Sequence, residues 1–234
     1  MPDHSTQIPS QVRVVVVGGG IVGSSVAYHL AKLGWKDVTL LEQNALAGGT
    51  TWHAAGMVGR LRTSSSMTRI NEYSVQLYSS LQEETGHSTG WKQVGSLIVA
   101  RTQDRMRQLH RSVALAEYLG VEAMMIDAET AGEKCSIMRS DDLLGAAWLP
   151  GDGKVVPKDT AMALAKGAAA RGVQILEGVR VTNVEHRNGR VTGVATNQGP
   201  IEAEYVVLCG GMWTRELGLT CGVDVPLYPV EHHY

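Results

Sequence analysis

At 234 residues the chain can hold one large or two small domains, and a 44% hydrophobic share suits a buried globular core. A formal charge of −2 without any basic cluster excludes an electrostatic case for nucleic acid. The three cysteines, Cys135, Cys209 and Cys221, have neither the number nor the spacing of a disulfide framework or a metal site, which fits a reducing compartment.

The opening MPDHSTQIPS is polar and lacks the apolar core of a secretory leader. Four β-branched residues, Val14 to Val17, then predict a short buried strand. Gly18, Gly20 and Gly23 follow at GxGxxG spacing, and Val22, Val26, Leu30 and Leu33 have the period of a helix that Gly34 ends. Val38 to Leu41 form a second strand with Glu42 at its tip. Strand, glycines, helix, strand and terminal acid in register make a βαβ dinucleotide-binding unit. The glycines allow a tight turn and close approach of backbone to a pyrophosphate, and the helix N-terminus offers that anion free N–H groups and a positive dipole end. Glu42 can accept hydrogen bonds from a ribose hydroxyl, and an acid at that position argues against a bound 2′-phosphate. Val14 to Ala31 carries no formal charge, as a membrane span would, but its glycines, serines and valine-rich start read as strand, turn and buried helix. No membrane span is predicted.

Residues 43–62 (QNALAGGTTWHAAGMVGRLR) form a loop that must run back along a cofactor held by Glu42. Ile70, Tyr73, Leu77 and Leu81 have helical spacing over about Ser66 to Glu84, and Gly90 to Ala100 looks like a strand pair. Thr102 to Leu119 is an amphipathic helix with Met106, Leu109, Val113 and Leu119 inward, and Asp127 is an N-cap for a short third helix. Leu144 to Leu149 is strand-like, Pro150 to Gly153 turns, and Asp159 caps an alanine-rich helix ended by Gly172. Val173 to Leu176 and Val179 to His186 are strands. Asn188-Gly189 makes a tight turn into Val191 to Thr196, and Gly199-Pro200 turns into Ile201 to Leu208, ahead of the doublet Gly210-Gly211. The fold class is therefore α/β: a Rossmann-like βαβ unit with a β-meander, plus the start of a mixed substrate-domain sheet. A nicotinamide-dependent dehydrogenase shares Gly18 to Glu42 but more often continues with alternating strands and helices. The meander and the loop after Glu42 favour FAD instead.

TTWHAAG at Thr50 to Gly56, with YHLAKLGWKDVTLLEQ, LQEETGHSTGWKQVGSL, LPGDGKVVP and PLYPVEHHY, resembles the amine-oxidising flavoproteins of the glycine oxidase and D-amino-acid oxidase superfamily. The nearest resemblance is to the dimethylglycine dehydrogenase, sarcosine dehydrogenase and dimethylglycine oxidase group, and it covers nearly the whole chain. It implies a single FAD-dependent oxidoreductase domain over 1–234, with 12–62 and 150–220 mainly FAD-binding and 63–149 and 221–234 mainly substrate-side. It also implies covalent attachment of the flavin through His53; without the resemblance, His53 is a cofactor contact or a solvated loop residue. Ile21 and Val22 would lie beside the pyrophosphate, and Glu42 with Gln43 would hold the adenosine ribose. Gly49, Thr50, Thr51, Trp52, His53, Ala54, Ala55, Gly56 and Met57 would line the ribityl chain and ring. Val181 would meet the adenine through its backbone, and Trp213 would also touch the cofactor; as bare residues they read as an inward strand residue and a core residue. His232, in EHHY, falls where relatives place an active-site histidine near the substrate amine. That role suits a group titrating near neutral pH, because an alkylammonium must lose its proton before it gives up hydride. His232 and His233 also read as ordinary strand-end residues, and no metal site is expected there.

The implied activity is oxidative demethylation of a small N-methyl amine such as dimethylglycine or sarcosine, with hydride passing from the methyl carbon to flavin N5. The implied partners are that amine and an electron acceptor: a flavoprotein, a quinone or oxygen. Relatives run well beyond Tyr234, so the chain reads as the N-terminal portion of a longer enzyme or a truncated reading frame. Alone it is expected to bind FAD weakly and need not be active, and tetrahydrofolate would belong only to a C-terminal half. The regulatory subunit of pyruvate dehydrogenase phosphatase is similar over this same region, including LLEQN and TQDR. It makes a non-catalytic regulator the alternative. That subunit's resemblance implies a loop without the WHAAG histidine, so His53 favours the enzyme. The expected location is bacterial cytoplasm, or the mitochondrial matrix for a eukaryotic source.

Overall fold

Val14 to Val17 are buried in β1 (Gln11–Val17), as expected of a strand inside a parallel sheet covered by helices. The structure is a computed structural model, and it describes residues 7–231. After β1 come α1 (Ile21–Lys32), β2 (Val38–Glu42), a 3₁₀ turn (Thr50–His53), β3 (Met57–Val58) and α2 (Ser65–Thr85). Next are β4 (Ser96–Ala100), α3 (Gln103–Tyr118), β5 (Met124–Ile126), α4 (Ala128–Lys134), β6 (Gly145–Leu149) and β7 (Gly153–Lys154). The chain continues through α5 (Pro157–Ala169), β8 (Gln174–Glu177), β9 (Val181–Arg187), β10 (Arg190–Thr196) and β11 (Gly199–Leu208). A second 3₁₀ turn (Gly211–Trp213) and α6 (Thr214–Thr220) follow.

These elements divide into two compact units, one holding the residues up to Ala55, Leu81–Thr89 and those from Val156 on, the other Gly56–Ser80 and Gly90–Val155. In the first, six strands form one sheet in the order β8-β2-β1-β11-β10-β9. β8, β2, β1 and β11 run parallel, while β11, β10 and β9 are an antiparallel meander. The carboxyl ends of β1, β2 and β11 therefore lie along one edge, which is where open α/β sheets bind ligands. The β9–β10 turn is Asn188-Gly189, both at positive φ, the two-residue hairpin geometry that matches strand twist. The expected turn at Gly199-Pro200 is corrected: both residues are in β11, with Thr196 opposite Gly199 and Ala195 opposite Pro200. Asn197 turns the chain instead, its side chain accepting the Arg180 N–H and donating to the Gly178 carbonyl.

α1 packs on α5 through small residues. Ser24, Ala27 and Ala31 are buried on α1, and Ala161, Ala165, Gly167 and Ala168 on α5. A Cβ at Gly167 would stand 2.9 Å from the Tyr28 ring, so the helices approach closely there. The expected apolar stripe of α1 is corrected accordingly: Val22 is 60% and Leu33 77% exposed. Close helix packing selected small side chains over most of the contact, with Tyr28 fitted against Gly167, and Val22 and Leu33 lie away from it. Tyr28, fully buried, donates its hydroxyl to the Glu84 carboxylate at 2.7 and 2.8 Å, and Arg171 pairs with the same carboxylate at 2.6 Å. α5 begins at Pro157, with Val156 at the cap position. Asp159 is thus not the cap but a first-turn acid, because proline is already suited to the first helical position.

In the second unit β4, β6 and β5 form an antiparallel sheet, and β3 pairs with β7. Leu109 of α3 is buried against Ala100 and Ala147, and Ala116 against Val121 and Leu149. Thr102 caps α3 by accepting the Arg105 N–H, and Asp127 caps α4 by accepting the Thr130 N–H at 2.8 Å. Gly90 to Ala100 contributes one strand rather than two, with only Lys92 bridging to Lys154 before β4. Ile70 and Tyr73 of α2 are exposed, while Thr68, Val75 and Leu77 are buried. Among the described residues no helix is long and apolar enough to cross a membrane.

Candidate dinucleotide-binding site

β1 ends at Val17, and Gly18 turns the chain with φ +109°. A side chain there would also collide with β11's continuation, since a Cβ would stand 2.5 Å from the Cys209 carbonyl oxygen. Gly23, in the first turn of α1, faces back onto this turn: its Cβ would lie 1.8 Å from the Gly18 carbonyl oxygen. Both positions need glycine for close approach of backbone to backbone. α1 then starts with Gly20 at its N-cap and no side-chain cap from its own segment.

Glu42 closes β2 with its carboxylate already oriented. One oxygen accepts the Gly19 N–H at 2.7 Å and the other the Asn44 N–H at 2.8 Å. Each retains capacity for a further hydrogen bond. The Gly19 carbonyl in turn accepts the Ala47 N–H at 2.9 Å, so the loop after Glu42 is tied down over the glycine turn. Thr51, 9% exposed, reaches across from the 3₁₀ turn to accept the Ile21 N–H at 3.0 Å.

Together these groups wall a cavity of about 720 Å³. Gly18, Gly20, Ile21, Val22, Glu42, Gln43, Gly49, Thr50, Thr51, Val181 and Trp213 all line it. Gly23 does not line it and acts through Gly18. A Cβ at Gly49 would stand 3.7 Å from the Trp213 ring, which places that indole against the loop. Trp52, His53, Ala54 and Ala55 are exposed and outside the lining, with the Trp52 and His53 rings stacked 3.7 Å apart. Gly56 and Met57 belong to the second unit. His232 lies outside the described residues.

The cavity also takes walls from residues that no local pattern singled out: Asn44, Arg180, Thr182, Cys209, Glu216 and Thr220. Arg180 and Thr182 flank Val181 at the mouth of β9, and α6 is tied to β9 by the Val184 N–H donating to Thr220 Oγ1 at 3.0 Å. Thr214 to Thr220 follows a glycine doublet, so a short helix there was the one available signal. Burial pushes the Cys209 thiol up from its ordinary pKa, so it faces the cavity as a neutral thiol. All three cysteines are free, and among the described residues no cluster of three or more His, Cys, Asp or Glu could hold a metal.

The donor set fits the adenosine-diphosphate half of FAD. A helix N-terminus with no cap from its own segment and glycine backbone suit a pyrophosphate, Glu42 suits ribose hydroxyls, and Val179 and Val181 with Leu41 give an apolar wall. A parallel βαβ unit, a meander returning to the same sheet and this cavity at the strand ends define a dinucleotide-binding flavoprotein fold.

The chain belongs to the FAD dependent oxidoreductase family, which it matches over residues 13–234. It is 42% identical to the mitochondrial pyruvate dehydrogenase phosphatase regulatory subunit of Mus musculus, over 99% of this chain and 26% of that protein. It is 41% identical to the formaldehyde-forming 4-methylaminobutanoate oxidase of Paenarthrobacter nicotinovorans, over 96% of this chain and 27% of that protein. With human mitochondrial sarcosine dehydrogenase it shares 39% identity over 98% of this chain and 26% of that protein. Among solved structures, L-proline dehydrogenase from P. horikoshii superposes with a TM-score of 0.88 at 29% identity, covering 93% of this chain and 57% of that one. The chain thus spans about a quarter of the length of these curated relatives.

Proposed function

We propose that this protein is an FAD-dependent oxidoreductase acting on the N-methyl group of a small secondary or tertiary amine, dimethylglycine or sarcosine being the type. The observation that carries the reading is the cavity built from the glycine turn, the α1 N-terminus and Glu42, with the TTWHAAG loop running out of it. Two relatives of similar identity, 4-methylaminobutanoate oxidase and sarcosine dehydrogenase, support the substrate class by their named activities.

When bound, FAD supplies a two-electron acceptor for the hydride of a carbon beside nitrogen. The chain's own residues bind and orient. The α1 N-terminus and the glycine backbone hold the pyrophosphate, and Glu42, fixed by Gly19 and Asn44, holds the ribose. His53 would be the residue that holds the flavin; it stands exposed at the end of the 3₁₀ turn. His232 is the group that takes the ammonium proton and leaves the amine neutral. The electron acceptor would be a flavoprotein, a quinone or oxygen.

The specific observation favouring a second reading is the 42% identity to a regulatory subunit. Flavin content separates the two. Protein purified from the full reading frame is precipitated with acid, and yellow colour in the pellet that His53→Ala moves to the supernatant is the expected result. Colour in the supernatant for the wild type would remove the attachment role of His53. No colour in either fraction would bring the non-catalytic reading forward.

A further inference from the structure

The second unit carries a cavity of its own, of about 310 Å³, between α2 and the carboxyl end of α3. None of its lining residues lines the dinucleotide cavity. Arg69, Glu72 and Gln76 of α2 form one wall, on one side of the helix by their spacing of three and four. Leu119, Gly120 and Val121, just past the end of α3, form the other. Arg69 and Glu72 are close enough in sequence to pair along the helix, yet they do not. Glu72 turns one carboxylate oxygen to Arg60 at 3.5 Å and the other to the Gln76 amide at 3.4 Å. Both contacts are long, so the carboxylate keeps capacity for a closer donor. Arg69 is left without a hydrogen-bond or ion-pair partner among the described residues. Opposite, the Leu119 and Gly120 carbonyls accept no hydrogen bond from the described residues, and they stand at the negative end of the α3 dipole. Val121, buried, and Leu119 pack with Leu149 and give the cavity an apolar floor.

The cavity thus offers three things at once: an unpaired cation, a set of acceptors for a cation, and apolar surface. A simple anion would satisfy Arg69 but meet repulsion from Glu72 and the carbonyls. A simple cation would leave Arg69 unpaired. We propose that this cavity binds a free amino acid with an apolar side chain. Its carboxylate would lie on Arg69, its ammonium on Glu72 and the α3 carbonyls, and its side chain on Leu119 and Val121. The site shares no residue with the cofactor cavity, so it stands whether or not that cavity takes FAD.

The test follows backbone amide shifts of the full chain by NMR during titration with L-leucine. The Gly120 and Val121 amides should shift saturably, with a Kd of about a millimolar, as partly exposed charges and one half-buried side chain would give. Isocaproate, isoamylamine and glycine each lack one of the three recognised groups and should bind about tenfold more weakly. Arg69→Gln should weaken leucine and isocaproate but not isoamylamine, and Glu72→Gln should weaken leucine and isoamylamine but not isocaproate. Arg69 is exposed and unpaired, so its variant should melt with the wild type and report binding alone. The absence of a saturable shift at Gly120 and Val121 with leucine would overturn the proposal. So would an analogue that matches leucine; isocaproate doing so would leave an anion site only. Leucine binding untouched by Arg69→Gln would overturn it as well, because the carboxylate would then lie elsewhere.

Discussion

Gly23→Ala is the sharpest probe of the glycine turn, because two effects of opposite sign meet at one methyl group. In the interior of a helix alanine is favoured over glycine by about 1 kcal/mol. Against this, the new Cβ would sit 1.8 Å from the Gly18 carbonyl oxygen, more than an ångström inside the 3.0 Å that real contacts respect. The clash is with backbone, so no flexible side-chain end can yield. Relief requires α1 to move off the turn, or the Gly18 peptide to rotate, and Gly18 is itself pinned between the Leu41 carbonyl and Cys209. Overpacking of this kind costs roughly 1–3 kcal/mol or more. With the cost of so short a backbone contact taken at the upper end, about 2–3 kcal/mol, the net loss is about 1–2 kcal/mol, or roughly 2–8 °C in Tm for a chain of this size. The larger effect should be on the ligand, since the displaced groups are those proposed to hold the pyrophosphate. FAD affinity should fall by about a hundredfold or more, the equivalent of two lost charge-assisted hydrogen bonds. Calorimetry of the apo protein and a flavin fluorescence titration measure the two separately. A variant with wild-type affinity and an unchanged or raised Tm would refute the packing of α1 on the turn.

Two other side chains carry predictions of their own. Glu42→Ala removes the acceptor of both the Gly19 and Asn44 amides and the ribose acid with them, so FAD should bind about 10–100-fold more weakly, with Glu42→Gln between; a titration showing less than a twofold change would dismiss the ribose role. Glu84 is a matter of stability. Burial raises its pKa, but hydrogen bonds from Tyr28 and Arg171 and the charges of Arg171 and Lys32 outweigh this and hold it below 4.5. A depressed folded pKa means that the stabilisation is complete above the unfolded value and is lost as pH falls through the folded one. Thermal melts should therefore show the wild type losing stability on acidification below about pH 4.5 more steeply than Glu84→Gln. At neutral pH Glu84→Ala, which takes the acceptor from the buried Tyr28 hydroxyl, should cost about 1–3 kcal/mol. Parallel acid profiles for wild type and Glu84→Gln would show that the cluster contributes nothing through this charge.

How much of this was legible in the sequence depends on the range of the interaction concerned. Val14 to Val17, Gly18, Gly20, Gly23 and Glu42 could be placed because their constraints are local: strand burial, a turn with positive φ, and an acid at a strand tip. Asp127 and the Asn188-Gly189 turn were readable for the same reason. The face of α1 was not. A hydrophobic period reports that large side chains recur, but here the buried contact is made by Ser24, Ala27 and Ala31, with Tyr28 fitted in over Gly167 of α5. Val22 instead opens onto the cavity. Ile70 and Tyr73 misled in the same way on α2, where Thr68 and Val75 are buried. The far walls of the cavity lie further still from any local rule, because Thr182 and Glu216 line one cavity only once β9 and α6 are brought together, as the Val184–Thr220 bond does. Thr51 shows where the boundary falls. Its place in TTWHAAG marked it as a cofactor neighbour, but its partner is an amide 30 residues earlier. That pairing exists because Gly20 has no side chain to cap its own helix. A glycine at an N-cap beside a buried hydroxyl from a remote loop therefore has two consequences at once: the turn can approach a phosphate, and the loop must supply the cap.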